Sequence, residues 1–198
     1  MLNAHFYDRR ASEYISVKVL KDQWLDNVRR VPSNNCNQRP VGAEISLLVL
    51  HNISLPAGTF GNRCIEELFT NCLDCHAHPD FSDLEGVEVS AHLLIDRLGE
   101  VTQFVPFNLR AWHAGLSHYQ GCDNCNDFSI GIELEGVDDK PYTTEQYRSL
   151  TDVSLRIMQL LPSITVDTIV GHCDISPGRK TDPGPAFDWK AYLHSLSV

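Results

Sequence analysis

His51, His172 and Asp182 are the residues whose types and spacing could do the most chemistry. Each histidine follows a short apolar run: Ile45 to Leu50 before His51, and Val166 to Val170 before Gly171-His172. Asp182 stands in the turn-rich segment Thr181-Asp182-Pro183-Gly184-Pro185. A residue at a strand end keeps a fixed backbone while its side chain projects into a cleft. Two imidazoles and one carboxylate form a catalytic zinc set with a fourth position free for water. On spacing alone the commoner outcome for a strand-end histidine is a structural or surface role.

The cysteines pose a second chemical question. There are seven, an odd number. Cys72-Leu73-Asp74-Cys75 and Cys122-Asp123-Asn124-Cys125 are two C-x-x-C pairs. Such pairs, folded together, would make a structural zinc site, with His76 and His78 as alternative ligands. The long separation between the pairs leaves free thiols as the other reading. Cys36, Cys64 and Cys173 read as small buried residues.

The elements that must position these groups interleave. Ile45–Leu50 predicts a buried strand. Residues 87–96 alternate, with Val87, Val89, Ala91, Leu93 and Ile95 on one face. Arg97 to Glu100 predicts a tight turn into a second strand over residues 101–105, making a hairpin. Phe128, Ile130, Ile132 and Leu134 share one face of a further strand, with Glu133 and Glu135 opposite. Thr143 and Gln146 have capping-box spacing, followed by a helical stripe that ends at Pro162. Residues 166–170 predict a fourth strand and 187–196 a last helix. Trp24, Leu25 and Val28 predict a short amphipathic helix. The pattern is that of a single α/β domain over residues 22–198, with residues 1–21 as a peripheral extension.

Composition bounds the class. The chain of 198 residues is 42% hydrophobic and 21% charged, as expected of one globular domain with a real core. Its formal charge of −10 argues against nucleic-acid binding through phosphate neutralisation. No apolar run is long enough to span a membrane, and the first residues lack a secretory pattern, so a cytoplasmic protein with no membrane partner is expected. Cysteines in such a compartment are thiols or metal ligands rather than disulfides.

Five segments stand in a telling order: VLHNIS at 49–54, SAHLLI at 90–95, AWHAG at 111–115, NDFSIGIELEG at 126–136 and GHCDISPGRKTDPGP at 171–185. Together they resemble the AmpD-type 1,6-anhydro-N-acetylmuramyl-L-alanine amidases, within the zinc amidase and peptidoglycan-recognition superfamily. The likeness spans roughly residues 22–193. It implies a central mixed β-sheet flanked by helices. It implies that His51, His172 and Asp182 hold Zn2+, that Glu133 is the catalytic carboxylate and that Lys180 stabilises the oxyanion. Glu135 shares the face of Glu133 and is the competing base; the family pattern favours Glu133. Asn52, Trp112 and His113 match positions near the substrate, although a core tryptophan and a structural histidine fit the residues equally well. His92 reads as structural.

The resemblance also implies a substrate and a setting: an anhydromuropeptide, cut between N-acetylmuramic acid and L-alanine during cell-wall recycling, by an enzyme expected to be monomeric. Two positions depart from the pattern. Glu88 and Asn124 stand where well-known members carry arginines associated with the anionic muropeptide, which bears on fine substrate preference. The competing reading is a recognition protein that holds muropeptide without cutting it. Such proteins lack part of the zinc set, whereas this chain keeps His51, Glu133, His172, Lys180 and Asp182.

Overall fold

A computed structural model describes residues 23–197. The expected peripheral extension at 1–21 lies outside the described residues. In chain order the elements are β1 (Arg29–Arg30), β2 (Cys36–Gln38), β3 (Leu47–Ile53), α1 (Cys64–Phe69), β4 (Leu93–Ile95), β5 (Val101–Gln103), β6 (Leu109–Ala111), β7 (His118–Tyr119), β8 (Cys122–Asp123), β9 (Ser129–Glu135), α2 (Thr144–Leu160), β10 (Ile169–Gly171), α3 (His172–Ile175) and α4 (Trp189–Ser195).

Six strands form one sheet in the order β1-β5-β4-β9-β3-β10. The β4, β9, β3 and β10 neighbours are parallel, while β4 and β5 are antiparallel, so the sheet is mixed as expected. A parallel core needs cover on both faces, which explains the near-continuous apolar run Leu47 to Leu50. All seven residues of β9 are buried. Leu48 and Leu50 of β3 and Ile130, Ile132 and Leu134 of β9 face one side, where Leu150, Val153 and Ile157 of α2 and Tyr192 of α4 cover them. Leu47 and Val49 face the other side, packed with Ala114, Cys125 and Ile175. Side chains alternate along a strand, so His51 shares that second face, as do Ser129, Gly131 and Glu133.

The expected capping box is present at α2. Thr143 Oγ1 accepts from the Gln146 amide at 3.1 Å, and Gln146 Oε1 accepts from the Thr143 amide at 3.1 Å. Such a cap contributes about 1 kcal/mol. Gln146 Nε2 also donates to the Glu135 carbonyl at 2.9 Å, which ties the helix start to the end of β9. The β4–β5 hairpin turns at Gly99, where φ is +80° and an added Cβ would meet the Glu145 carbonyl at 2.7 Å.

Three expected elements are corrected. Residues 24–28 form no helix. Gln23 and Asn27 take positive φ, which interrupts a helical turn, and the Leu25 amide donates to Gln103 Oε1 instead. The alternation at 87–96 becomes a strand only at Leu93, because Ser90 uses its backbone and hydroxyl to hold Trp112 and Asn35. Residues 166–168 are a 3-10 turn, leaving only Ile169–Gly171 as strand.

Candidate metal centre

The site lies where the carboxyl ends of β3, β9 and β10 come together, the usual place for ligands in parallel sheets. β3 runs past its apolar stretch, so His51 sits inside the strand rather than beyond it. His51 is in register with Glu133 on β9. His172 follows β10 directly, as the first residue of α3. The loop after α3 returns Asp182 to the same point, held by the Cys173 amide donating to the Asp182 carbonyl at 3.0 Å.

Three ligand atoms converge. His51 Nδ1 lies 2.9 Å from His172 Nδ1 and 3.1 Å from Asp182 Oδ2, and His172 Nδ1 lies 3.0 Å from the same oxygen. Zinc bonds of ~2.0–2.2 Å in tetrahedral geometry place ligand atoms about 3.3–3.6 Å apart, so a small outward shift of this triangle would admit the ion. Among the described residues this is the one group of three or more His, Cys, Asp or Glu side chains whose ligand atoms approach so closely. Larger hollows exist, including one of about 590 Å³ between α2 and α4, but no comparable set of ligand atoms converges there.

The charge states suit a cation. Burial pushes the His51 imidazole down to about 4, against the opposing pull of the neighbouring Asp182 carboxylate. Burial alone would raise Asp182, but the His172 and His51 imidazoles set against its Oδ2 more than reverse this and hold it ionised. A neutral imidazole beside an ionised carboxylate is the state that ligates. Glu133 stands in the same cavity of about 210 Å³, with Lys180, Asn52, Trp112 and His113 among the lining residues. Burial, then the nearby Asp182 charge, pushes the Glu133 carboxyl well up, and Lys180 partly offsets this. Glu133 Oε2 is buried and has no hydrogen-bond partner among the described residues. A buried carboxyl oxygen left without a partner beside the triad fits a site built to take a ligand.

Glu135, the competing carboxylate, is engaged elsewhere. Its Oε1 accepts from the Gly61 amide at 2.6 Å and its Oε2 from the Arg97 amide at 3.1 Å. Asn52 Nδ2 donates to Asp138 Oδ1 at 2.8 Å and to the Pro183 carbonyl at 3.1 Å, so it braces the loop that carries Asp182. Trp112 is half-buried, its indole nitrogen donating to Asn37 Oδ1 at 3.0 Å. His92 is fully buried; its Nδ1 accepts from the Gly131 amide at 3.0 Å, and its Nε2 faces the Leu109 carbonyl.

His113 is packed into the second face of the sheet. A Cβ on Gly131 would lie 2.4 Å from its Cγ, so β9 has a glycine where the ring packs against the strand. Gly131→Ala is therefore expected to cost about 1–3 kcal/mol, the range for overpacking, measurable by urea denaturation. The ring is neutral: burial, then the neighbouring His51 and His92, hold it well below the usual range.

The C-x-x-C cysteines do not assemble a second centre. Cys72 Sγ contacts the Thr70 carbonyl and Cys75 Sγ the Leu73 carbonyl. Cys125 is buried with Leu47, Val49 and Ala114, while Cys122 is exposed on β8. His76 and His78 join no group with them. All seven cysteines are free.

Several contributors escaped the sequence reading. Asn37 orients Trp112. Buried Asn126 accepts from the His113 and Ala114 amides through one oxygen. Arg39 spreads its guanidinium over the carbonyls of Phe107, Asn126, Asp127 and Ser129. A lone arginine or asparagine in a polar stretch gives no sequence signal of such bracing.

Comparison with known proteins finds relatives over most of the chain. The family described as N-acetylmuramoyl-L-alanine amidase matches residues 26–185. The chain is 53% identical over 174 residues to the 1,6-anhydro-N-acetylmuramyl-L-alanine amidase AmpD of Escherichia coli K12, covering 88% of this chain and 94% of that protein. A crystal structure of a selenomethionine derivative of AmpD superposes with a TM-score of 0.86 at 52% identity, over 90% of this chain and 99% of that one. The amidase AmiD of E. coli, solved with the substrate anhydro-N-acetylmuramic acid-L-Ala-D-γ-Glu-L-Lys, gives a TM-score of 0.58 at 26% identity, over 80% of this chain and 60% of that one. On the converging His-His-Asp group, the mixed sheet and a match across most of its length, the chain belongs to the N-acetylmuramoyl-L-alanine amidase family.

Proposed function

We propose that this chain hydrolyses the amide between the lactyl group of 1,6-anhydro-N-acetylmuramic acid and L-alanine, with zinc held by His51, His172 and Asp182. The observation that carries the reading is the compact Nδ1, Nδ1, Oδ2 triangle opening on a cavity that also contains an unpartnered carboxyl. The substrate class follows from the names of its relatives at 53% identity and from the anhydromuropeptide bound by AmiD.

Bound at the triangle, zinc supplies Lewis-acid polarisation of the amide carbonyl and acidifies water. Glu133 takes the proton from the attacking water and returns it to the departing alanine nitrogen, for which a raised proton affinity suits it. The C–N bond breaks, leaving a muramic carboxylate and a peptide with a free amine. Lys180, exposed on the cavity rim, supports the negative charge that develops on the carbonyl oxygen. Trp112, held by Asn37, offers an aromatic surface for the sugar or peptide. The cavity is smaller than the ~300–1,000 Å³ of a site that encloses a whole ligand, so sugar and stem lie along its open rim.

Glu135 holds the loops at Gly61 and Arg97. Glu135→Ala is expected to lower stability by about 1–3 kcal/mol, because two backbone donors lose their acceptor, while kcat in the folded fraction stays near wild type. Thermal denaturation beside steady-state assays separates the two; lost turnover with intact stability would move the base to Glu135.

The described residues contain no helix long and apolar enough to cross a membrane. Seven free cysteines support a reducing compartment, and on that basis we place the enzyme in the cytoplasm. Mass spectrometry of anhydromuropeptide digests tests the function. Release of free peptide that stops with a chelator and resumes with zinc supports hydrolysis. Retention of intact anhydromuropeptide under both conditions would favour a recognition protein instead.

A further inference from the structure

The nitrogen of His51 that faces away from the triangle is engaged by a second imidazole. His51 Nε2 lies 2.9 Å from His113 Nδ1, and His113 Nε2 lies 3.2 Å from Ser129 Oγ. Ser129 Oγ lies 2.5 Å from the Cys125 carbonyl oxygen. We infer that His113 is a positioning residue: with Ser129 it fixes the tautomer and tilt of His51 so that Nδ1 is bare toward the metal. This rests on the reading of His51, His172 and Asp182 as the zinc ligands.

The direction of the chain follows from counting protons. A carbonyl oxygen only accepts, so the one hydroxyl proton of Ser129 goes to Cys125. Ser129 Oγ is then the acceptor for His113, which must carry its hydrogen on Nε2. A neutral imidazole has one N–H, so His113 Nδ1 is bare and accepts from His51 Nε2–H. His51 in turn has a lone pair on Nδ1, the atom at the triangle. Reversing the Ser129 link would leave two oxygens 2.5 Å apart with no proton between them, and reversing the His51–His113 link would set the bare Nε2 of His113 against an oxygen that has no proton to give.

His172 reaches the same state by another route. Its Nε2 donates to the Ala114 carbonyl at 3.0 Å, leaving Nδ1 bare. That partner is backbone and cannot be removed by substitution. The partner of His51 is a side chain, so its contribution is open to direct measurement. The position also accounts for Gly131, whose missing side chain makes room for the His113 ring.

The test is zinc affinity by chelator competition in His113→Phe, His113→Asn, Ser129→Ala and His51→Ala, alongside long-range proton–nitrogen correlation spectra of the zinc-loaded wild type. Loss of an outer hydrogen bond to a metal-ligating histidine typically weakens affinity by about 10–100-fold, and His113→Phe is expected in that range. His113→Asn should recover most of it, because its side-chain oxygen sits near the lost Nδ1 and accepts. Ser129→Ala should fall between. The spectra should show His113 protonated at Nε2 and bare at Nδ1. Wild-type affinity in His113→Phe, an asparagine variant no better than phenylalanine, or a proton on His113 Nδ1 overturns the inference. His51→Ala with undiminished zinc affinity overturns the ligand assignment beneath it.

Discussion

Replacing Asp182 with alanine is expected to remove bound zinc and amide hydrolysis together. Asp182 supplies the one negative charge of the triangle, and its Oδ2 lies within 3.1 Å of both imidazole nitrogens. Without it two neutral rings must hold a dication in a buried pocket, where unpaired charge is costly. The loss in affinity should exceed the ~10–100-fold attached to an outer hydrogen bond, since a direct ligand is gone. Turnover should fall to background at ordinary zinc concentrations. The fold should survive, because the Asp182 carbonyl that anchors Cys173 is backbone and remains. Metal analysis of the purified variant, beside circular dichroism and digest assays, reads all three. An Asp182→Ala protein that keeps stoichiometric zinc would remove this residue from the ligand set.

The Glu133→Gln substitution should separate chemistry from metal binding. Glutamine keeps the shape of the side chain but cannot accept and return a proton. A fall in kcat of about 10²–10⁴-fold is expected, the range for a lost general acid–base, with zinc content unchanged. Stability of the metal-free chain gives a second readout. The native Glu133 holds its proton more tightly than an exposed glutamate, so the native state binds more protons than the unfolded one above the ordinary carboxylate range. Stability therefore falls as pH rises from that range toward the raised native value. Glu133→Gln should remove that part of the slope, seen in urea titrations at several pH values. Turnover retained in Glu133→Gln would exclude this carboxylate as the base.

What was readable in the sequence follows the strength of each physical signal. β3 and β9 announce themselves because a strand buried on both faces must be apolar over most of its length. Thr143 and Gln146 marked the start of α2 because the reciprocal cap needs those types at that spacing. His51, His172 and Asp182 were legible as a candidate set, and the motif around them raised one reading above the commoner alternatives. Less came through where tertiary contacts outvote local pattern. Leu25 has helical neighbours, yet its amide is captured by Gln103 from β5. Val87 and Val89 alternate like strand residues, but Ser90 ties that segment to Trp112 and Asn35. His113 fits a substrate contact and a structural histidine equally well in sequence; in the fold both of its ring nitrogens face His51 and Ser129. No local pattern reveals a contact between imidazoles sixty-two positions apart in the chain. The same holds for the cysteine pairs, whose spacing resembles a metal site while the fold sends Cys125 into the core and leaves Cys72 exposed.

Anomalous diffraction at the zinc edge, on crystals grown with zinc, tests the central claim most directly. The account requires a single strong peak about 2.0–2.2 Å from His51 Nδ1, His172 Nδ1 and Asp182 Oδ2, with Glu133 across the cavity. A peak among the cysteines with none at the triangle, or ligation of His51 through Nε2, would contradict it.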